Sequence, residues 1–412
     1  MTPALVTAMR GYTHVNFRAD LLAGITVAMV ALPLSLAIAI ASGADPATGL
    51  VTAIVAGFLI SALGGSRVQI GGPTGAFIVV VHGVIAAHGF DGLVIATLMA
   101  GVLLVIAGVT RAGALVRFIP EAVINGFTIG IAVIIATSQF PDLLGLDGRA
   151  LPAEVPAKMA GIWAARGQIV LAALAVGLGG MILIVLFRRL APKWPGLIVA
   201  VAVASSVAWA LALPVDTIES RFGALPSTLP LPRLPDVTLA RLVELIPSAL
   251  VIAFLAGIES LLSAMVADRM TGAGAEHRHR PNAEILAQGV ANIGSALFTG
   301  LPATGAIART ATNIRAGGQT PVAGMIHAVA ILVMMMVAGP LAGQMAMPAL
   351  AGLLILTAWN MAEPHKWGEY LREPAGDRLV LVVTLVLTVF TDLTVAIAVG
   401  VALGLGLRAL KR

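Results

Sequence analysis

The chain has no cysteine, so disulfides and thiolate metal sites are excluded and the redox compartment is left open. Charge is almost as scarce: Asp, Glu, Lys and Arg are 11% of 412 residues, apolar residues are 59%, and mean hydropathy is +1.00. So little charge cannot clothe a soluble domain. The net charge of +5 does not point to nucleic acid, because the arginines sit in short loops between apolar runs and not on one interleaved face. There is no HExxH pair, no paired aspartates and no nucleophile–base set at membrane depth, so an intramembrane enzyme has nothing to work with. The amino-terminal stretch MTPALVTAMRGYTHVNFRAD lacks a cleavage pattern after a short apolar core. No removable signal peptide is expected, and the first apolar segment serves as its own insertion signal.

What the chain does have is apolar runs, at about 20–42, 47–63, 73–87, 92–109, 121–140, 167–188, 194–213, 246–268, 283–298, 304–315, 321–339, 347–361, 378–391 and 393–410. These fourteen segments predict an all-α polytopic membrane protein, a single transmembrane domain over residues 1–412. Spans 3 and 10 (73–87 and 304–315) are too short to cross about 30 Å of hydrocarbon at 1.5 Å per residue, and read as half-helices. An even span count puts both termini on one side. With that side cytoplasmic, 18 Lys and Arg fall inside, six fall outside, and Arg309 lies within span 10, which is the positive-inside bias of a multi-pass inner-membrane protein. The longer connections 141–166 and 214–245 then lie outside, and PSTLPLPRLPD (226–236) reads as a stiff connector.

The two halves repeat. SALGGSRVQIGGPTGA (61–76) and SALFTGLPATGA (295–306) each close a full span, pass through glycine, proline and threonine, and open a short helix. The preceding spans also match in kind, one interrupted by Pro33 and the other by Gly257 and Glu259. Seven spans, an odd number, precede the second copy, so the copies have opposite orientation: a seven-plus-seven inverted repeat, about 18–213 and 241–410. In such folds broken segments meet at a midplane substrate site.

Two helices starting at Thr74–Phe77 (Thr74, Gly75, Ala76, Phe77) and Gly305–Ile307 (Gly305, Ala306, Ile307), aimed at each other, would present unpaired N–H groups and positive dipole ends to an anion. Gly72, Gly75 and Gly305 would let backbone approach the ligand. Extended segments 67–70 and 301–304 could pair beside it. Arg309, one turn after Gly305, would add positive potential, pair with Glu259, or snorkel to the surface. Glu259 is a lone carboxylate in an apolar run, an expensive placement that marks an ion pathway. It shares a helix face with Ser263, and with hydroxyls of Ser263, Thr304 or Thr74 it could coordinate Na⁺ or simply bind and release a proton. EHRHRP (276–281), with His277 and His279, reads as a solvated basic loop instead of a metal site, and His82 and His327 as packed histidines.

The strings VALPLSLAIAIASG (30–43), GGPTGAF (71–77), GIESLLSAMVADRMTG (257–272) and LPATGAIARTATNIRAGG (301–318) resemble the SulP anion permeases over essentially the whole chain. That resemblance implies core and gate domains, elevator-like alternating access and a homodimer. It implies an anion site at the helix starts near Thr74 and Gly305 with Pro33, Leu34 and Ser35 beside them, and a coupling-cation site at Glu259, Ser263 and Thr304. Leu34 stands where many members carry Gln. Glu259 and Ser263 stand where Na⁺-coupled members tend to have Asp and Thr, which favours H⁺. Most members continue into a cytoplasmic STAS domain, which is expected to be missing here through truncation or natural loss. The expectation is an H⁺-coupled secondary transporter of small anions (sulfate, bicarbonate or dicarboxylate) with no cofactor. The alternatives are a Na⁺-coupled bicarbonate-type symporter or anion exchanger, a proton-coupled nucleobase carrier of the same fold, and a channel-like protein. The absence of Asp and Glu from 304–315 argues against the nucleobase carrier.

Overall fold

The computed structural model describes residues 2–111, 120–148, 151–152, 154–191, 195–272, 274, 278–391 and 393–410. Of the residues weighed above, Arg117, Arg149, Lys193, Glu276, His277, Lys411 and Arg412 lie outside these.

The apolar runs wind into helices, the conformation that satisfies backbone polar groups without water. The first half holds α1 (Ala4–Ala8), α2 (His14–Ala41), α3 (Pro46–Leu63), α4 (Ile78–Val109), α5 (Glu121–Leu144), α6 (Val155–Ala164), α7 (Leu171–Leu190), α8 (Gly196–Ala210) and α9 (Ile218–Phe222). The second holds α10 (Leu239–Thr271), α11 (Pro281–Leu297), α12 (Ile307–Arg315), α13 (Pro321–Gly343), α14 (Met347–Met361), α15 (Trp367–Tyr370), α16 (Ala375–Phe390) and α17 (Leu393–Leu410). Among the described residues seven helices are long and apolar enough to cross a membrane: α2, α3, α4 with the 3-10 turn before it, α5, α7, α10 and α13. The protein is a multi-pass membrane protein.

Every predicted apolar segment contains helix. Segments 73–87 and 92–109 share α4, which breaks at Gly89, where φ is 73° and ψ 176°, values a glycine adopts without strain. Two expected interruptions are absent. Pro33 lies inside an unbroken α2, and Gly257 and Glu259 inside an unbroken α10. A proline removes one hydrogen bond from the ladder, and packing on neighbouring helices offsets that, since residues 31–39 of α2 are all buried.

The helices divide into two compact units. One comprises Met1–Ala114, Leu183–Ala202 and Thr217–Met345, and the other Leu115–Ile182, Val203–Asp216 and Ala346–Arg412. In the second unit α5 packs against α14 and α16. A Cβ at Gly126 or Gly130 of α5 would meet Leu381 O at 2.3 Å or Thr388 Cβ at 2.6 Å, so small residues let the backbones approach where lipid supplies no hydrophobic drive.

The first unit contains every predicted site residue. Here α3 and α2 pack on α13, while α11 and α10 pack on α4. Between these sets lies a two-residue antiparallel bridge, β1 (Gly71–Gly72) with β2 (Thr304–Gly305), pairing Gly71 with Gly305 and Gly72 with Thr304. Pairing occurs as foreseen in kind, but not at 67–70 with 301–304: the register follows the glycines. Asp20, fully buried in α2, accepts hydrogen bonds from Gln319 N (2.8 Å), Thr320 N (3.1 Å), the Thr320 hydroxyl and Tyr12 Oη (3.1 Å), which ties the start of α13 to α2. His82 is exposed on α4, with its ring beside Gly43, whereas His327 is fully buried in α13.

Candidate functional site

Two helical segments start at the ends of the strand bridge. After β1, Pro73 and Thr74 lead into the 3-10 turn Gly75–Phe77 and on into α4; after β2, Ala306 leads into α12. Neither start has a side-chain cap, whereas α2, α3, α10 and α13 are capped by Thr13, Asp45, Thr238 and Thr320. The first N–H groups of both segments therefore lack a side-chain acceptor, although Phe77 N donates to Thr74 O at 3.2 Å and Ala306 N to Ile70 O at 2.8 Å. Gly75, Ala76 and Phe77 are buried, Ala306 is buried, and only Ile307 and Ala308 reach the surface. Both segments pack against α10.

Arg309 completes this arrangement. It is 1% exposed, so it does not snorkel. Its Nη2 donates to Ser35 Oγ at 3.0 Å, while Nε and Nη1 are buried without a partner. No carboxylate among the described residues pairs with it, Glu259 included. Ser35 Oγ in turn donates to Ala31 O (2.7 Å), and Pro33 and Leu34 are buried beside it in α2. Gly72 makes room for the guanidinium: a Cβ there would lie 2.1 Å from Arg309 Nη1, and its φ of 147° disfavours any side chain. Thr74, 8% exposed, has an Oγ1 without a partner. Burying an unpaired guanidinium costs several kcal/mol unless an anion joins it.

The predicted cation residues lie in the same unit but are not joined by hydrogen bonds to one another. Glu259 is half-buried and makes no hydrogen bond or ion pair with a described residue, so its carboxylate is available. Thr304 Oγ1 donates to Ala256 O of α10 at 2.9 Å, one turn before Glu259. Ser263 Oγ is 3.2 Å from Thr310 Oγ1, which also accepts from Ile70 N at 3.1 Å. Thr304 and Ser263 thus bind α10 to β2 and α12.

Sequence reasoning passed over a buried polar cluster behind these residues, formed by Glu284 and Gln288 of α11, Ser260 of α10 and Gln69 of the segment before β1. A charged residue in the first turn of a helix reads as solvent-facing, and its inward turn depends on a partner loop more than 200 positions away. His279 of the basic loop is paired with Asp268 (2.7 Å), and no metal-binding cluster occurs among the described residues.

Comparison with known proteins bears on the family and the fold. The family model described as the sulfate permease family matches residues 17–384. YvdB of Bacillus subtilis (strain 168), which carries a sulfate-transporter name, is 42% identical over 388 residues, covering 94% of this chain and 72% of the relative. The bicarbonate transporter BicA of Picosynechococcus sp. is 31% identical over 404 residues, covering 92% and 68%. The solved transmembrane domain of a cyanobacterial BicA superposes with a TM-score of 0.82 at 29% identity, covering 96% of this chain and 99% of that one. Murine Slc26a9 matches at 0.88 and 18% identity, a likeness of fold. With the family model matching residues 17–384 and a relative 42% identical over 94% of its length, the chain belongs to the sulfate permease family.

Proposed function

We propose that the protein is a secondary active transporter of small oxyanions or carboxylates, of the sulfate, bicarbonate or dicarboxylate class, coupled to H⁺. The observation that carries this reading is Arg309: a guanidinium 1% exposed, two of its nitrogens unpartnered, beside two uncapped helix starts. An anion between Thr74–Phe77 and Gly305–Ile307 would receive backbone N–H groups, the Thr74 hydroxyl and the guanidinium, all donors. Relatives named for sulfate and bicarbonate transport support the substrate class.

Glu259 is the proton-binding group in this scheme, with Ser263 and Thr304 holding its helix against the anion-binding backbone. Its free carboxylate and the engagement of both hydroxyls elsewhere support proton binding over a preformed Na⁺ cage. The fuller architecture is fourteen segments in a seven-plus-seven inverted repeat, with spans 3 and 10 as half-helices. The antiparallel bridge and the matching packing of α3 on α13 and α11 on α4 support it. The unit holding the site would be the transport core and the other the gate, working by elevator-like alternating access in an inner-membrane homodimer with cytoplasmic termini; family resemblance and the charge bias support this.

The test is uptake of labelled sulfate and bicarbonate into proteoliposomes under imposed H⁺ or Na⁺ gradients. Saturable, trans-stimulated uptake driven by external acid and indifferent to Na⁺ is expected. Non-saturating flux would make the protein channel-like, a Na⁺ requirement would reassign the coupling ion, and no uptake of either anion would reject the reading.

A further inference from the structure

Glu284 lies in the first turn of α11 and is fully buried. Its Oε2 accepts from Gly65 N at 2.8 Å and Ser66 N at 3.2 Å, in the turn between α3 and β1. Its Oε1 accepts from Ser260 Oγ at 3.0 Å and Gln288 Nε2 at 3.0 Å. Four donors converge on one carboxylate, as many as its lone pairs accommodate. Ser260 Oγ accepts from Gln69 Nε2 at 2.9 Å and from Gln288 Nε2 at 2.7 Å, so its own proton is directed to Glu284. Gln69 Nε2 also reaches Ser260 O at 3.2 Å.

The far end of this chain of bonds touches the anion site. Gln69 Nε2 lies 1.5 Å from where a Cβ of residue 305 would be, so the amide packs directly on the Gly305 backbone at the start of the second half-helix. Ser260 is the neighbour of Glu259 on α10. We propose that Glu284 is a positioning residue for anion binding, acting through Ser260 and Gln69 on the backbone at Gly305; this rests on the anion-site reading above. The network joins α10, α11, the α3–β1 turn and the segment before β1 by groups whose donors and acceptors interlock.

The charge and symmetry of the carboxylate are what the network needs. In Glu284→Gln the amide keeps the shape, but its NH₂ must face either the two N–H groups of the 65–66 turn or the Ser260–Gln288 pair, and one side lets go. The test uses the full chain in proteoliposomes and measures half-saturation for sulfate and bicarbonate. Glu284→Gln, which loses a hydrogen bond to a charged group, and Gln69→Leu, which loses the bonds to Ser260, are each expected to raise half-saturation about tenfold, with maximal rate and detergent melting temperature less affected. The double variant should be no worse than the poorer single one, because both act through one network. Should Glu284→Gln fail to fold, Ser260→Ala with Gln69→Leu closes the same cycle. Losses that multiply, or half-saturation unchanged in the folded variants, would overturn the relay. Absence of saturable uptake in the wild type would instead remove the anion-site reading, and the relay with it.

Discussion

Arg309→Ala is expected to raise half-saturation for sulfate and bicarbonate by about 30- to 5,000-fold, the equivalent of the roughly 2–5 kcal/mol carried by a desolvated charge pair. The guanidinium is 1% exposed, and only Nη2 has a protein partner, Ser35. Its Nε and Nη1 hold no partner in the fold, which leaves them for the anion in the proposed reading. Folding should survive, because alanine also removes an unpaired buried charge. Arg309→Lys keeps the charge but loses the planar fork and the fixed bond to Ser35, and an intermediate loss is expected. Gly72→Ala should act in the same direction by a different route: its Cβ would lie 2.1 Å from Nη1 and displace the guanidinium. Initial uptake rates across anion concentration check all three, and an unaltered half-saturation in Arg309→Ala would reject the charge role.

The second large effect belongs to Glu259. Glutamine at 259 preserves size and hydrogen-bonding capacity but holds the site in a neutral form. A one-unit pH gradient, worth about 1.36 kcal/mol per proton, supports roughly tenfold accumulation in a one-to-one symport. Glu259→Gln is expected to collapse that accumulation to equilibrium while anion-for-anion exchange continues, because the contacts proposed for the anion, at Gly305 and Arg309, do not include residue 259. Measuring both modes in the same vesicles separates lost coupling from lost binding. Undiminished accumulation under the same gradient would remove Glu259 from the coupling role.

Most of this architecture was legible because the membrane allows so few solutions. Apolar runs had to be helices, and the paired Gly-Pro-Thr strings marked where two segments start inside the fold. Arg309 and Ser35 were both named in advance, yet their 3.0 Å contact was not. It joins residues 274 positions apart, and local periodicity carries no such information. The strand register went astray for a steric reason. Gly71 and Gly72 form the bridge because a side chain there would run into Ile60 or Arg309, whereas the 67–70 segment instead turns the Gln69 side chain toward Ser260. Pro33 was over-read as a break, since one missing N–H does not end a helix held on all sides. Glu284 was missed because its partners lie in a turn far upstream, and nothing near it in sequence shows that the carboxylate points inward.

The claim that an anion sits between the two helix starts against Arg309 is tested most directly by selenate, a heavy analogue of sulfate. A structure of the protein with selenate, read by selenium anomalous scattering, should show a peak within hydrogen-bonding reach of Arg309 Nη1, the Thr74 hydroxyl and the backbone N–H groups of Gly75, Ala76 and Ile307. A saturating selenate peak elsewhere, with this position empty, would contradict it.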